Sequence, residues 1–404
     1  MIIFIYEREM PTVEMLRTEY RELLQGQNVR FSFRKNKSLK KKDIEQADVL
    51  ILIRPHEVLS QKIAEYGRKA GCFVIIYLDD DLIEQATDTH AIPWRLKALE
   101  RTLKVADALM SPNQYLCQKY QNKIPTGRGA VINFCVTDKE FSDIPKKQLS
   151  NGAVKLVYAA GRHHAREAEK TLYPLMKQLN DRYKDRISVT FVGVRPQINP
   201  DEFNYNVEFV EGMPLEEYRE WMRNEHFDIG FAPLDGTSFD RMKCFVKYTE
   251  YTLVGVVGVY SRCEPYTFVI RDGKDGFLVE GEKEWYEKTT ELIDDSTLRR
   301  QFLEEAVINL HQRFSQTAIL SQLREQLPEM FKKKASVGKC GTLVFAKMRY
   351  YYNLILDYGY LFVLYLKRSG LRSTFKRGFE HFKIVGSYKT KRKTKRESKK
   401  IIRN

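Results

Sequence analysis

At 404 residues, 43% of them hydrophobic, the chain is too long for one ordinary core and divides into two domains plus an extension. Six cysteines (Cys72, Cys117, Cys135, Cys244, Cys263 and Cys340) lie scattered with no CxxC pair, which argues against a disulfide framework or a zinc site and fits a reducing compartment. The formal charge of +15 is concentrated at one end: residues 331–404 hold 21 Lys and Arg against Asp357, Glu380 and Glu397, leaving about −3 on everything before them. A near-neutral body with a basic tail points to an anionic partner, phospholipid or nucleic acid.

The opening "MIIFIYEREM" has five apolar residues after the initiator before Glu7 and Arg8, too few for a signal-peptide core, and reads as a first strand. Short apolar runs then alternate with helical patterns: "TVEMLRTEYRELLQG", "VRFSF", "ADVLILI", "LSQKIAEYGRKAG", "CFVIIYL", "AIPWRLKALERTLKVADAL", "ALMSP", a helix from Asn113, and "GAVIN". This is the βαβ signature of a parallel, doubly wound sheet over residues 1–133. Residues 134–153, including "DKEFSDIPKKQLSNGA", have the composition of a linker.

A second α/β unit spans 154–331. It runs through "KLVYAAG", a helix from about Arg166 to Asn180, "SVTFVG", "NVEFVEG", "PLEEYREWMRN", "FDIGFAPL", the helical segment "RMKCFVKYTEYTLVG", "VVGVYS", "EPYTFVI", "DGKDGFLV" and closing helices. In the segment 241–255 the positions Lys243, Lys247 and Glu250 fall at i, i+4 and i+7, one stripe of one helix. An exposed i,i+3 ion pair is the plain reading of Lys247 and Glu250. The location favours another: ligands of doubly wound domains sit beyond the carboxyl ends of the strands, where helix N-termini already attract phosphate. There the two lysines add positive charge, and Glu250 accepts hydrogen bonds from sugar hydroxyls.

The ordered set "VKLVYAAGRHH", "VTFVG", "VEFVEGMPLEEYREWM", "DIGFAPLDGTSFDRMKCFVKYTEYTLVGVVGVYS" and "IRDGKDGFLVEGEKEWYEKTTELIDDSTLRRQFLEEA", covering about 154–310, resembles the C-terminal domain of GT-B glycosyltransferases of the large retaining group called family 4. The resemblance implies two Rossmann-like domains facing across a cleft, a nucleotide-sugar donor held mainly by the second, no obligatory metal and no cofactor. Carried over by position, Glu250 matches the glutamate that binds the donor ribose, at the second acidic place of an E-x7-E motif. The first place is Met242, and the pattern "KCFVKYTEY" resembles instead a K-S-x-x-K-x-x-E-Y subgroup with Cys244 for serine. Gly161, Asp240, Lys247 and Tyr251 complete the expected donor set. Arg162, Arg166 and Lys243 are the expected catalytic cations, with Lys170 a competitor of Arg166, because they would neutralise the departing diphosphate as its charge develops.

His163 and His164 are adjacent, so their side chains diverge, and no Cys or His cluster accompanies them as metal ligands. "LDDDLIE" ends a strand of the first unit. Asp80 and Asp81 there, with His90 and Asn113 further on, are candidate acceptor-side residues, although acids at a helix start also suit the dipole.

The tail 332–404 is read as a basic amphipathic, membrane-associating extension. Its stretch 343–366, "LVFAKMRYYYNLILDYGYLFVLYL", is long enough to span a bilayer, but Lys347, Arg349, Asp357 and the tyrosines favour a helix lying in the interface of an anionic membrane. The resulting expectation is a cytoplasmic glycosyltransferase, peripheral on the inner face of the membrane, using a lipid-linked or glycan acceptor in cell-surface polysaccharide or glycolipid synthesis. The rival readings are a nucleic-acid-binding protein acting through the tail, or a non-catalytic or epimerase-type protein on the same fold.

Overall fold

A computed structural model describes residues 1–84, 92–145, 152–161, 164–336 and 338–367. The uninterrupted apolar runs of the first unit form β1 (Ile2–Tyr6), β2 (Phe31–Lys35), β3 (Val49–Ile53), β4 (Phe73–Tyr77), β5 (Ala108–Ser111) and β6 (Gly129–Val131). They make one parallel sheet in the order β2-β1-β3-β4-β5-β6. β1 and β3 are buried at every residue, as expected when helices cover both faces of a parallel sheet. The second unit contributes β7 (Val154–Ala159), β8 (Ile187–Val192), β9 (Asn206–Val210), β10 (Ile229–Ala232), β11 (Val257–Ser261) and β12 (Phe277–Val279) in the order β12-β11-β10-β7-β8-β9, again parallel. The chain order reverses between β1 and β3 in the first sheet and between β7 and β10 in the second. These two reversals are where a doubly wound sheet opens a crevice for a ligand.

Three boundaries differ from the sequence reading. The helix Gln316–Gln326 and the turn Pro328–Phe331 return to the first domain, where Ile319, Leu323, Leu327 and Met330 join the core of Ile2, Phe4 and Ile51, and Arg128 pairs with Glu329 at 2.8 Å. The polar composition of 134–153 also conceals Phe134, Cys135 and Val136, which are buried where the outgoing chain meets the returning one, Val136 bridging to Ser315. The third concerns 241–255. This stretch is not one helix: a short turn Ser238–Arg241 is capped by Thr237, the chain breaks at Met242–Phe245, and a new helix runs Val246–Leu253. Lys243 therefore precedes the helix that carries Lys247 and Glu250, and the one-stripe arrangement does not hold.

The extension is docked on the first domain as far as it is described. Gly338 passes so close to the end of the helix Val58–Lys69 that a Cβ there would lie 2.0 Å from the Lys69 carbonyl oxygen. A helix over 344–367 then runs back along that element. Ala346, Tyr350 and the partly buried Leu354 pack, with Leu343 ahead of them, into the core that holds Leu39, Leu59 and Ile63. Trp94 Nε1 and Arg95 Nε donate to the Asp357 carboxylate at 2.6 and 2.8 Å.

Candidate functional site

The second sheet's crevice lies between the ends of β7 and β10. Gly161 follows β7, and a Cβ at this position would meet nothing within 4 Å among the described residues, so the strand exit is open there. After it the helix Ala165–Glu167 passes into one π-turn, Ala168–Leu172, before continuing as Tyr173–Tyr183, an irregularity often found at functional sites. Lys170 Nζ crosses the crevice to Asp235, beyond β10, at 2.6 Å. Arg166 is exposed on its short helix. Arg162 and His163 lie outside the described residues, as does His90.

Lys243 sits where the two domains approach. Its Nζ pairs with Asp240 at 2.7 Å. Burial works to raise the Asp240 carboxyl, but Lys243 and the Thr237 hydroxyl hold it below its ordinary value. The field of Lys243 also reaches Glu167 and Asp80. Lys247 Nζ bonds Glu250 at 2.6 Å with the Glu250 side chain 12% exposed, so this pair is half sunk at the cleft wall and is no solvated surface bridge. Burial disfavours the Lys247 ammonium, and Glu250 more than compensates, so Lys247 titrates above its ordinary value.

Tyr251 is fully buried and donates to the Phe231 carbonyl at 2.8 Å. Its ring lies on Gly230, where any side chain would collide with it. It anchors the helix of Glu250 to β10 from behind, and of the expected donor set it alone is core.

Facing this group across the cleft is the end of β4. Arg54, with a left-handed backbone (φ 45°), donates from Nη2 to Asp79 at 2.7 Å and to Asp80 at 2.6 Å, and the Thr12 hydroxyl donates to Asp79 at 2.6 Å. A non-glycine residue held at positive φ stores strain that its two carboxylate partners must offset. Burial pushes Asp80 up to about 6, with Asp79 adding to the shift and Arg54 opposing it. Asp81 behaves differently: it is fully buried, accepts from Lys119 at 2.6 Å and Tyr120 at 2.5 Å, and caps the backbone N–H groups of Ile83 and Glu84. Its oxygens are committed to the first domain's interior, which leaves Asp80, with its side chain 27% exposed, the more accessible of the two.

Asn113 emerges as a strut between the domains. Its Oδ1 caps the helix Gln114–Gln121 through the N–H groups of Tyr115 and Leu116, while its Nδ2 donates to the carbonyls of Arg241 and Lys243 at 2.9 and 2.7 Å. Cys244 Sγ to the Asp79 carbonyl at 3.2 Å and the Tyr115 hydroxyl to Glu264 at 3.1 Å cross the same gap. The capping role was legible in "SPNQYL"; the interdomain one was not, since it joins residues 128 and 130 positions apart.

No protein-family profile matches the sequence, and no curated protein matches it. Solved structures do match. Anabaena HepE in complex with UDP and glucose superposes with a TM-score of 0.57 at 14% identity, over 81% of this chain and 99% of that one. An alpha-glucosyltransferase in complex with UDP-glucose and DNA containing an abasic site gives 0.57 at 13%, over 82% and 99%. Sucrose-phosphate synthase from Thermosynechococcus elongatus gives 0.57 at 14%, over 82% and 98%. At such identities the likeness is one of fold. Two Rossmann-like domains with their strand ends facing across a cleft are the GT-B arrangement, and this chain has it.

Proposed function

We propose that the chain is a glycosyltransferase that moves a sugar from a nucleoside-diphosphate donor to an acceptor, with retention at the anomeric carbon. The observation that carries this is the convergence of Lys243, the Lys247–Glu250 pair and the open exit after Gly161 at the reversal of the second sheet, opposite Asp80. The neighbours' complexes with UDP and UDP-glucose make uridine donors the first to try.

In this reading Glu250 exchanges part of its bond to Lys247 for the donor ribose, and the diphosphate lies across Gly161 and the segment from 164. Breaking the sugar–phosphate bond places negative charge on the leaving diphosphate. Lys243 and Arg166, joined by Arg162 on the strength of sequence order, stabilise that charge as it forms, the role a metal ion plays in other transferases. In the same reading Asp80 accepts a hydrogen bond from the acceptor hydroxyl. The acceptor is a lipid-linked or glycan chain presented at the cytoplasmic face of an anionic membrane, as in cell-surface polysaccharide or glycolipid synthesis.

Thermal shift across a panel of nucleotide sugars tests the donor class. A donor at a hundredfold excess over its Kd stabilises the folded state by about 2.7 kcal/mol. A Tm that no nucleotide sugar or nucleoside diphosphate moves would overturn the proposal.

A further inference from the structure

Helix 344–367 has two faces of opposite character. The inward face carries Ala346, Tyr350, Leu354 and Asp357 into the first domain. The outward face presents Phe345, Met348, Tyr352, Ile355, Tyr358 and Phe362, with Phe345 76% and Ile355 70% exposed. Successive outward positions recur every three or four residues, so they form one continuous stripe about 26 Å long at the usual helical rise. Exposed apolar stripes of this extent mark an interaction surface.

Charge selects the partner. The only acid of the helix, Asp357, is turned inward onto Arg95 at 2.6 Å, so the outward face carries none. The exposed Lys332 and Lys333 precede the helix and Lys367 ends it, while Lys334 is turned onto the Glu45 and Ala70 carbonyls; the sequence continues to residue 404 with 14 further Lys and Arg against Glu380 and Glu397. A second copy of the chain would bring the same excess of positive charge against itself. Nucleic acid would need several cations on the contact face to meet its phosphates, whereas here the outward stripe is apolar and aromatic, with the exposed Arg349 at its border, Lys347 turned onto the Leu39 carbonyl, and the other cations before and after the helix. An anionic bilayer satisfies both parts, taking the apolar side chains below the headgroups and the lysines among them. No described helix is long and apolar enough to cross a membrane, which is consistent with one that lies flat.

Position gives the docking a consequence. The helix runs along the element Val58–Lys69 toward its first turn, and its second half stands beside Trp94, Arg95 and Glu7, at the carboxyl ends of β1 and β3. Its inward face plugs the first sheet's own crevice, where Glu57, Trp94, Arg95, Tyr350 and Asp357 line a cavity of only about 10 Å³ and Glu7 ties Arg95 and Tyr350 together. We propose that the outward face of helix 344–367 seats the first domain on a bilayer containing anionic phospholipid, so that the acceptor side of the cleft opens beside the membrane surface. The seating itself follows from the helix; the delivery of an acceptor rests on the glycosyl-transfer reading.

The test is co-flotation of the full chain with phosphatidylcholine vesicles, with and without phosphatidylglycerol. The expected result is binding to the anionic vesicles that falls at least tenfold on neutral ones, weakens as salt rises, and falls at least tenfold again in the double variant Phe345→Glu/Ile355→Glu. Both positions are outward, so the variant's melting temperature should match that of the parent. It should also lose transfer to a lipid-linked acceptor in vesicles while keeping transfer to a soluble one. Undiminished flotation of the double variant overturns the docking face. So does retention on RNA, or self-association that the variant abolishes, without vesicle binding. A parent chain that floats as expected yet transfers sugar to neither acceptor overturns the glycosyl-transfer reading and leaves the docking intact.

Discussion

The two sheets reverse their strand order in the same manner, yet one crevice is open and the other is filled. At Gly161, after β7, a side chain would meet none of the described residues within 4 Å, and the neighbouring charges, Lys243 and the Lys247–Glu250 pair, stand at the wall of the cleft. After β1 and β3 the same topological position is occupied by Glu7, His56 and Glu57, closed over by Tyr350 and Asp357 of helix 344–367 and by Arg95. Burial pushes Glu57 up to about 7, with Glu7 adding to the effect. A doubly wound sheet thus supplies a crevice by geometry alone, and what the chain places in it decides whether it becomes a site or a seam.

Six changes test this contrast. The largest effect is expected from filling the open crevice: Gly161→Leu has room to fold, so its Tm should stay within about a degree, a surface change being worth about 0.5 kcal/mol or less. Donor affinity should nevertheless fall about a hundredfold or more, read by titration calorimetry with the best nucleotide sugar. Unchanged affinity would place the donor elsewhere. Glu250→Ala belongs to the same side of the comparison, and loss of its charged hydrogen bonds, about 1.5–3 kcal/mol, should lower kcat/KM some 10- to 100-fold with the circular-dichroism spectrum preserved.

Opening the filled crevice should instead cost stability. Tyr350→Ala removes a buried ring and its bond to Glu7, and is expected to destabilise the first domain by about 3 kcal/mol, measured by urea unfolding. Deleting everything after residue 331 uncovers the same seam, so the truncated chain should melt well below the parent. A truncation that melts with the parent would show the helix to be merely laid on the surface.

The pH dependence of the seam has a definite sign. Glu57 titrates near 4.5 when unfolded and at about 7 when folded, so between those values the folded state keeps a proton that the unfolded state has lost. Its contribution to stability therefore declines as pH climbs through that window. In Glu57→Gln this decline is absent, and the variant's Tm relative to the parent should improve by a few degrees between about pH 5 and pH 8. The smallest effect should come from Asn113→Ser, which keeps a helix-capping oxygen but removes the amide that donates to the carbonyls of Arg241 and Lys243. A rise in donor KM of a few fold, on roughly 1 kcal/mol of lost hydrogen bonding, with little change in Tm is the outcome to look for.

Local patterning settles the strands, because "IIFIY", "VLILI" and "FVIIY" can satisfy their apolar runs only as buried parallel strands, and it settles the grouping of Lys247 with Glu250, three residues apart on one helix. Local chemistry also placed the caps, Asn113 among them. Everything that joins residues distant in sequence was left to the tertiary structure. The periodicity of 241–255 does not reveal that Lys243 precedes a break, because that break is held by Asn113 and Asp79 of the other domain. Asp80 and Asp81 are both acceptor-side candidates by sequence, and only the approach of Lys119 and Tyr120 to Asp81 separates them. Composition showed the tail to be basic and amphipathic; that its inward face closes a crevice follows from Trp94, Arg95 and Glu7, some 260 to 340 positions away, whose bonds to Asp357 and Tyr350 form only once the domain has folded.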